Sequence, residues 1–408
     1  MADAVFVLGA ARTDFARNLL KEGKSLRDVI VEAGSAAIAA SGLSPADVQS
    51  GVVGNFAAGL FTRQLHLGAM LTAIDPALRG VPTVHVEAAC ASGAAAVLTG
   101  VHQILAHAAD VVLVVGAEQQ KTMPVADGAE VLAAAGDARL ERERYGTPLF
   151  PRLFAEIARR YTARHGDIAR AMATIAAKNL AHARRNPLAQ TRGRPPLSVQ
   201  AAMTSGEHNP EIAPPLCLAD CSQVTDGAAA VVLGSEQVAR RLGRPAVRLL
   251  GYGHTTDRLG LDEKDVPAFP AARAAVERAY AMASVGPQEL KAAEVHDCFS
   301  ITELIAYELL GLAAPGQGKR LAESGATASR EVRQELGLSG PQGGDPEVLV
   351  NAGGGLIGDG HPVGATGVRQ VADAYRLLTG GTVLPGPVVT FNMGGTLTTS
   401  VAMVWANA

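Results

Sequence analysis

The chain has 408 residues, 48% of them hydrophobic, 18% charged and 4% aromatic, with a formal net charge of -3. At roughly 100–200 residues per domain this length predicts two or three domains, with ample apolar material for a large core. The near-neutral balance and the lack of any basic block exclude nucleic acid as the main partner, and apolar runs such as 111–116 are far too short to span a bilayer.

A β-branched run at 4–8 predicts a first strand, followed by a loop over 9–14. The opening MADAVFVLGAARTDF has no basic region leading into an apolar run and a cleavage site, so no signal peptide is expected. Apolar residues at helical spacing predict a helix over 25–40. A loop then ends at Cys90, an Ala/Gly-rich helix follows over 92–108, and the continuous run 111–115 reads as a strand buried on both faces. Residues 121–215 change character. They hold ERERYG, RLFAEIARRYTARHG, KNLAHARRNP and RGRPP, and read as a more polar, largely helical insertion. Buried-strand patterns resume at 228–233 and 246–250. Later come a short apolar approach at 292–295, the tetrapeptide HDCF at 296–299 and a helix over ITELIAYELL. A glycine-rich loop carrying His361 leads into a helix over 364–378, a strand over 387–391, and Gly394. The closing VWANA carries no lipidation or peroxisomal signal.

Alternation of buried runs with small-residue helices places the chain in the α/β class. It also shows a weak internal repeat: reactive loop, helix, strand, glycine, once around Cys90 and once around His361. If the halves are related, a pseudo-twofold brings two helix N-termini to one crevice, with a reactive side chain at each. Helix N-termini offer unpaired N–H groups and partial positive charge, which suits anionic intermediates.

Cys90, in HVEAACASGAAAVLTG, sits at such a start, where a thiol pKa can fall below about 8.5, and its small neighbours leave room for a substrate. The alternative is a buried structural cysteine. His361, in NAGGGLIGDGHPVGATG, is held in a rigid loop and could serve as base toward a thiol, or simply pack there. The same stretch contains a G-x-G-x-x-G at 353–358. However, Asp373 falls inside the next helix rather than at the end of a following strand, against a dinucleotide site. His296, Asp297 and Cys298 put three reactive side chains in a row; alternatively Asp297 or Ser300 caps the next helix, with Glu303 completing a capping box. Cys217 and Cys221 form C-x-x-x-C without a second Cys/His pair nearby, so no metal site is expected there. His102 and His107 read as structural. Four cysteines make no disulfide framework, and a reducing cytoplasm is expected.

Cys90 in CAS, HDCF at 296–299, GHPVGATG at 360–367 and the closing VVTFNMGGT together resemble the thiolase superfamily. The opening GAARTDF and the segment DGAAAVVL agree, and the resemblance covers essentially the whole chain. HDCF, in place of the family's more usual Asn-Glu-Ala-Phe, is similar to the sterol-carrier-protein-type thiolases, here without a lipid-carrier domain. The resemblance implies a five-layered αβαβα thiolase fold of two similar halves: 1–120 with 216–245, and 246–408. The insertion 121–215 would be a loop domain covering coenzyme A. It implies a homodimer or homotetramer. It also implies that His361 takes the proton of Cys90, which attacks an acyl-CoA thioester, and that backbone N–H groups of Cys90 and Gly394 hold the oxyanion. His296 would help stabilise a thioester enolate. Where the family has a second catalytic cysteine in C-x-G, this chain has Asn392-Met393-Gly394, and Cys298 is the replacement. Coenzyme A enters as a thioester substrate, with no resident cofactor, and Arg184 and Arg185 are candidate phosphate partners; the alternative is ordinary solvated charge. Three activities fit: thiolysis of 3-ketoacyl-CoA or the reverse condensation; acyl transfer to a non-CoA acceptor; or a subunit of a larger complex, since relatives of this branch work with a small OB-fold, zinc-containing protein.

Overall fold

The computed structural model describes residues 4–380 and 384–408. The first three residues of the expected N-terminal half therefore lie outside the described residues. Ten strands form one mixed sheet: β1 (Val5–Arg12), β2 (Ser50–Gly54), β3 (Thr83–Val86), β4 (Val111–Glu118), β7 (Gly227–Ser235), β8 (Val247–Thr256), β9 (Ala292–Val295), β10 (Leu349–Val350), β11 (Val388–Gly394) and β12 (Thr399–Asn407). A separate hairpin joins β5 (Glu211–Ala213) to β6 (Leu216–Cys217).

The sheet order is β10-β9-β11-β12-β8-β1-β7-β4-β2-β3. Read outward from its centre, each half repeats one plan. β1 is antiparallel to β7, β7 is antiparallel to β4, and β2 and β3 follow in parallel. β8, β12, β11, β9 and β10 do the same. The halves meet edge to edge through Phe6–Arg248 and Val7–Val247.

Strand alternation sorts side chains into layers. Val112, Val114, Val231 and Leu233 of the first half, and Val388, Val401, Met403 and Trp405 of the second, share one core with the helices Ser92–Leu105 and Thr366–Thr379. Leu113, Val115, Ala230 and Val232 face the other way, against the helix Leu26–Ser41. Val389, Phe391, Ala402 and Val404 face the helices Pro270–Ala283 and Ser300–Leu309. The result is a five-layered αβαβα fold.

The structure lengthens the expected first strand. What reads as a loop at 9–12 continues β1, with a register shift between Val7 and Gly9. A side-chain carbon on Gly9 would collide with the Ser41 backbone, so this glycine marks a bulge under close helix packing rather than a turn. The segment between β4 and β7 holds five α-helices. It is less polar than its arginines suggest, because the helix Ala169–Ala183 is buried along nearly its whole length, Lys178, Asn179 and His182 included.

Candidate active site

The chain reaches Cys90 through a tight turn after β3. Ala89 adopts φ +51°, in the left-handed region. The Ala91 N–H donates to the Ala88 carbonyl at 3.0 Å. Ser92 Oγ accepts from the Ala88 N–H at 2.9 Å and donates to the Ala89 carbonyl at 2.6 Å. The serine of CAS thus laces the turn that presents the sulfur at the start of the Ser92–Leu105 helix.

His361 arrives from the other half. Its N–H donates to Thr225 Oγ1 at 2.9 Å and its carbonyl accepts from Gln120 Nε2 at 2.7 Å. Its Nδ1 lies 2.7 Å from Thr366 Oγ1, whose hydroxyl donates to the Pro362 carbonyl. The hydroxyl therefore accepts from Nδ1–H and leaves Nε2 bare. The helices carrying the two loops meet at their N-termini, where Gly93 packs on the Gly364 carbonyl and the Gly367 and Val368 nitrogens.

The structure brings three of the four expected catalytic residues into one cluster: Cys90 Sγ and one ring nitrogen each of His296 and His361 lie within 4.8 Å of one another. The imidazoles are edge-on, 5.1 Å between centroids. Cys298 lines the same cavity as Cys90 and His361, with its sulfur 3.9 Å from Thr302 Oγ1. Asn392 Nδ2 donates to His296 Nδ1 at 3.0 Å.

Burial governs the protonation of this cluster. It pushes the Cys90 thiol up to about 12, although the Gly395 N–H on the sulfur opposes it. Desolvation therefore works against the lowering that the helix start was expected to bring. Burial, aided by the Arg369 charge, lowers His361 to about 3. Burial and then His361 hold His296 well below the usual imidazole value. Burial, with Cys90 alongside, holds Cys298 well above the usual thiol value. The resting site is a set of neutral thiols and neutral imidazoles.

Gly394, expected as an oxyanion donor, ends β11 with its Cα against the Ala88 carbonyl and the Ala91 nitrogen, while Gly395, one residue on, lines the cavity. The alternative, that Asp297 or Ser300 caps the next helix, is not what the structure shows: Phe299 takes the N-cap position, and its N–H donates to Thr302 Oγ1 at 3.2 Å. Asp297 accepts from the Leu356 and Ile357 N–H groups at 2.6 and 3.2 Å and from Asn179 Nδ2 at 2.7 Å. Ser300 Oγ donates to Asp220, and Glu303 pairs with buried Lys178. A side-chain carbon on Gly355, at φ +60°, would collide with the Asp297 carboxylate. This packing, rather than a nucleotide, accounts for the G-x-G-x-x-G stretch. Asp373 is tied instead to buried Arg369 at 2.8 Å.

The cavity measures about 1270 Å³. Phe150, Leu132, Ala135 and Phe299 make an apolar side, and Lys121 and Arg194 lie in its wall. Arg184 and Arg185 do not; both pair with Glu335, on the helix Arg330–Leu336. Their helix runs buried through the molecule and emerges against that second-half helix. All four cysteines are free thiols; Cys221 borders the cavity through its bridge to Phe299.

Sequence reasoning missed Thr366, Thr225, Gln120, Gly395 and Asn179. Thr366 alone left a local signal, five residues after His361 in GHPVGATG. The others come from segments far away in sequence and are brought in by the fold.

Comparison with known proteins agrees with this geometry. Residues 5–201 match the family model "Thiolase, N-terminal domain" and residues 253–407 match "Thiolase C-terminal domain-like". The chain is 34% identical to an acetyl-CoA acetyltransferase of Methanothermobacter thermautotrophicus, over 92% of this chain and 91% of that one. It is 29% identical to sterol carrier protein 2 of Bos taurus, over 93% of this chain and 67% of that protein. Among solved structures, the Ltp2-ChsH2(DUF35) aldolase superposes with a TM-score of 0.77 at 23% identity, over 98% of this chain and 97% of that one. With both family models matched along the chain and the reactive loops meeting in one cavity, this chain belongs to the thiolase family.

Proposed function

We propose that this thiolase-family acyltransferase forms its acyl-enzyme on Cys90 and cleaves 3-ketoacyl-CoA thiolytically, or runs the reverse condensation. The observation that carries the reading is the meeting of Cys90, His296 and His361 within 4.8 Å, from loops of both halves. Bare Nε2 of His361 takes the Cys90 proton as the sulfur attacks the 3-keto carbon. The Cys90 N–H receives the oxyanion with the Gly394–Gly395 turn; one such donor is typically worth about 3–4 kcal/mol in the transition state. The carbon–carbon bond breaks, and the resulting thioester enolate is held by His296. Cys298 stands protonated at rest and gives its proton to the α-carbon, releasing acetyl-CoA and leaving the shortened acyl group on Cys90. Incoming coenzyme A returns a proton to Cys298, its sulfur attacks the acyl group, and Cys90 leaves with the proton held on His361.

Coenzyme A acts here as thioester substrate, with no resident cofactor. Lys121 and Arg194, in the cavity wall, are better placed for its phosphates than Arg184 and Arg185. The domain reading stays as the sequence suggested: halves 1–120 with 216–245, and 246–408, and a covering insertion 121–215. The repeated strand plan supports it. A homodimer or homotetramer is supported by the outer edge of β3, which no strand covers among the described residues and which exposes Val84 beside the Cys90 turn. Free thiols and the lack, among described residues, of any helix long and apolar enough to cross a membrane support a cytoplasmic placement. A second reading, acyl transfer to another acceptor or work within a complex with a small OB-fold partner, is favoured by Asn392 at the second-cysteine position and by the fold's likeness to an aldolase whose name joins two proteins.

The test is mass spectrometry of the protein after incubation with a panel of acyl-CoAs. An acyl mass on Cys90 is expected, and an unmodified Cys90 with every thioester refutes the proposal. Cys298→Ala should retain that adduct and lose α-proton exchange of acetyl-CoA; unchanged exchange would remove Cys298 from the mechanism.

A further inference from the structure

The residue at the second-cysteine position does not stand idle. We infer that Asn392 is a positioning residue that fixes His296 in the tautomer with its proton on Nε2, turning that ring into a hydrogen-bond donor toward the reacting thioester. The inference rests on the acyl-transfer reading above and deepens it.

An amide nitrogen can only donate, so the 3.0 Å contact from Asn392 Nδ2 makes His296 Nδ1 an acceptor. A neutral ring that accepts at Nδ1 carries its proton on Nε2. The choice of amide orientation is physical. A side-chain carbon at Gly367 would strike both the Ala94 nitrogen and Asn392 Oδ1, so both atoms border that glycine, although the buried oxygen makes no hydrogen bond there. Ala94 belongs to the first turn of the Ser92–Leu105 helix, whose N–H groups lack intrahelical partners and carry partial positive charge. The partial positive charge of that helix start favours the amide oxygen on this side and the amide nitrogen toward His296. Asn392 lies within β11, paired with Val401, and is buried, so its side chain has little freedom to turn.

The two imidazoles are thereby fixed in opposite senses. Thr366 takes the Nδ1 proton of His361 and leaves a base at Nε2, while Asn392 fills Nδ1 of His296 and leaves a donor at Nε2. Two neutral histidines with their ring centroids 5.1 Å apart can then act as base and as oxyanion donor without exchanging roles.

The experiment is ¹⁵N NMR of the imidazoles in the uniformly labelled protein at pH 7, with His296 assigned by loss of its signals in His296→Gln. A protonated-type shift at Nε2 and a bare-type shift at Nδ1 are expected; a proton on Nδ1 overturns the inference. The near-isosteric Asn392→Asp replaces the donor by an acceptor. It should move the His296 proton to Nδ1 or add a second one there. It should also lower α-proton exchange of acetyl-CoA by about 10²-fold, the usual effect of losing one oxyanion donor, with Cys90 acylation and KM changed less than threefold. Exchange unchanged in Asn392→Asp overturns it too. If that variant does not fold, the wild-type spectrum alone decides. Absence of any Cys90 acyl adduct in the wild type would instead sink the acyl-transfer reading and leave the tautomer measurable.

Discussion

The two halves of the sheet share one strand plan yet contribute differently to the site. Each delivers a reactive loop to the N-terminus of a central helix, and Gly93 of one helix presses on Gly367 of the other. The first half supplies a single reactive group, Cys90, on a turn laced by its own Ser92. The second supplies both imidazoles and the second thiol, each held by partners distant in sequence: His361 by Gln120 and Thr225, and the HDCF loop by Asn179. Symmetry thus provides the shared crevice, and on the proposed mechanism the unlike loops divide the labour between carrier and proton handling.

The sharpest way to break this division is at His361. If the second half holds the base, His361→Ala should slow Cys90 acylation by about 10²–10⁴-fold, the usual worth of a general base, without altering the melting temperature by more than a few degrees. Single-turnover mass spectrometry with an acyl-CoA reads the rate. A loss under tenfold would mean that the sulfur is activated without the base, through its own helix start and the Gly395 N–H of the second half.

The asymmetry of support predicts the next effect. Gly355 is at φ +60° with its Cα against the Asp297 carboxylate. Gly355→Ala should therefore cost about 1–3 kcal/mol from the backbone alone, read as a lower denaturation midpoint. The folded fraction should also lose α-proton exchange more than Cys90 acylation, since only the HDCF side is displaced. An equal loss of both would show that the two loops move as one.

How far the sequence shows this arrangement follows from range. The chemistry-bearing tetrads, the central helices and the buried strands are local patterns, and each stands where its pattern places it. The end of β1 is not legible. Gly9 looks like a turn signal, and only the helix packed over it makes it a bulge. The burial of Ala169–Ala183 is hidden as well, because Lys178, Asn179 and His182 read as a polar face until their buried partners Glu303, Asp297 and Asn351 are known. Cys90 shows the same limit. A helix start favours the thiolate, but desolvation in the cavity, which no local pattern records, pushes the thiol pKa the other way.

That shift gives a smaller effect. With His361 lowered to about 3 and Cys90 pushed up to about 12, the base is unprotonated and the thiol intact throughout pH 5–9. Neither group titrates there, so acylation should vary less than about threefold across that range instead of rising through pH 6–7. Glu118 is the group that can bend the profile. Burial raises it to about 7, and it accepts from the Gly364 N–H at 2.9 Å, just beyond His361. As pH falls below 7 it gains a proton and loses acceptor strength, so any decline on the acid side should disappear in Glu118→Gln. A rise centred on pH 6.5 that survives that substitution would indicate a thiolate–imidazolium pair.

The smallest expected effect separates the cavity wall from the far surface. Arg184 and Arg185 already share Glu335, whereas Arg194 borders the cavity beside Gln223. A side chain engaged in a surface ion pair contributes about 0–1 kcal/mol to stability, and one outside the cavity contributes nothing to phosphate binding. The double variant Arg184→Ala, Arg185→Ala should leave the KM for acyl-CoA within twofold. Arg194→Ala should raise it severalfold, and raise it less for a pantetheine thioester that lacks the nucleotide. If the double variant raises KM and Arg194→Ala does not, the nucleotide lies on the Glu335 side and the insertion covers coenzyme A from the opposite direction to the one its geometry indicates.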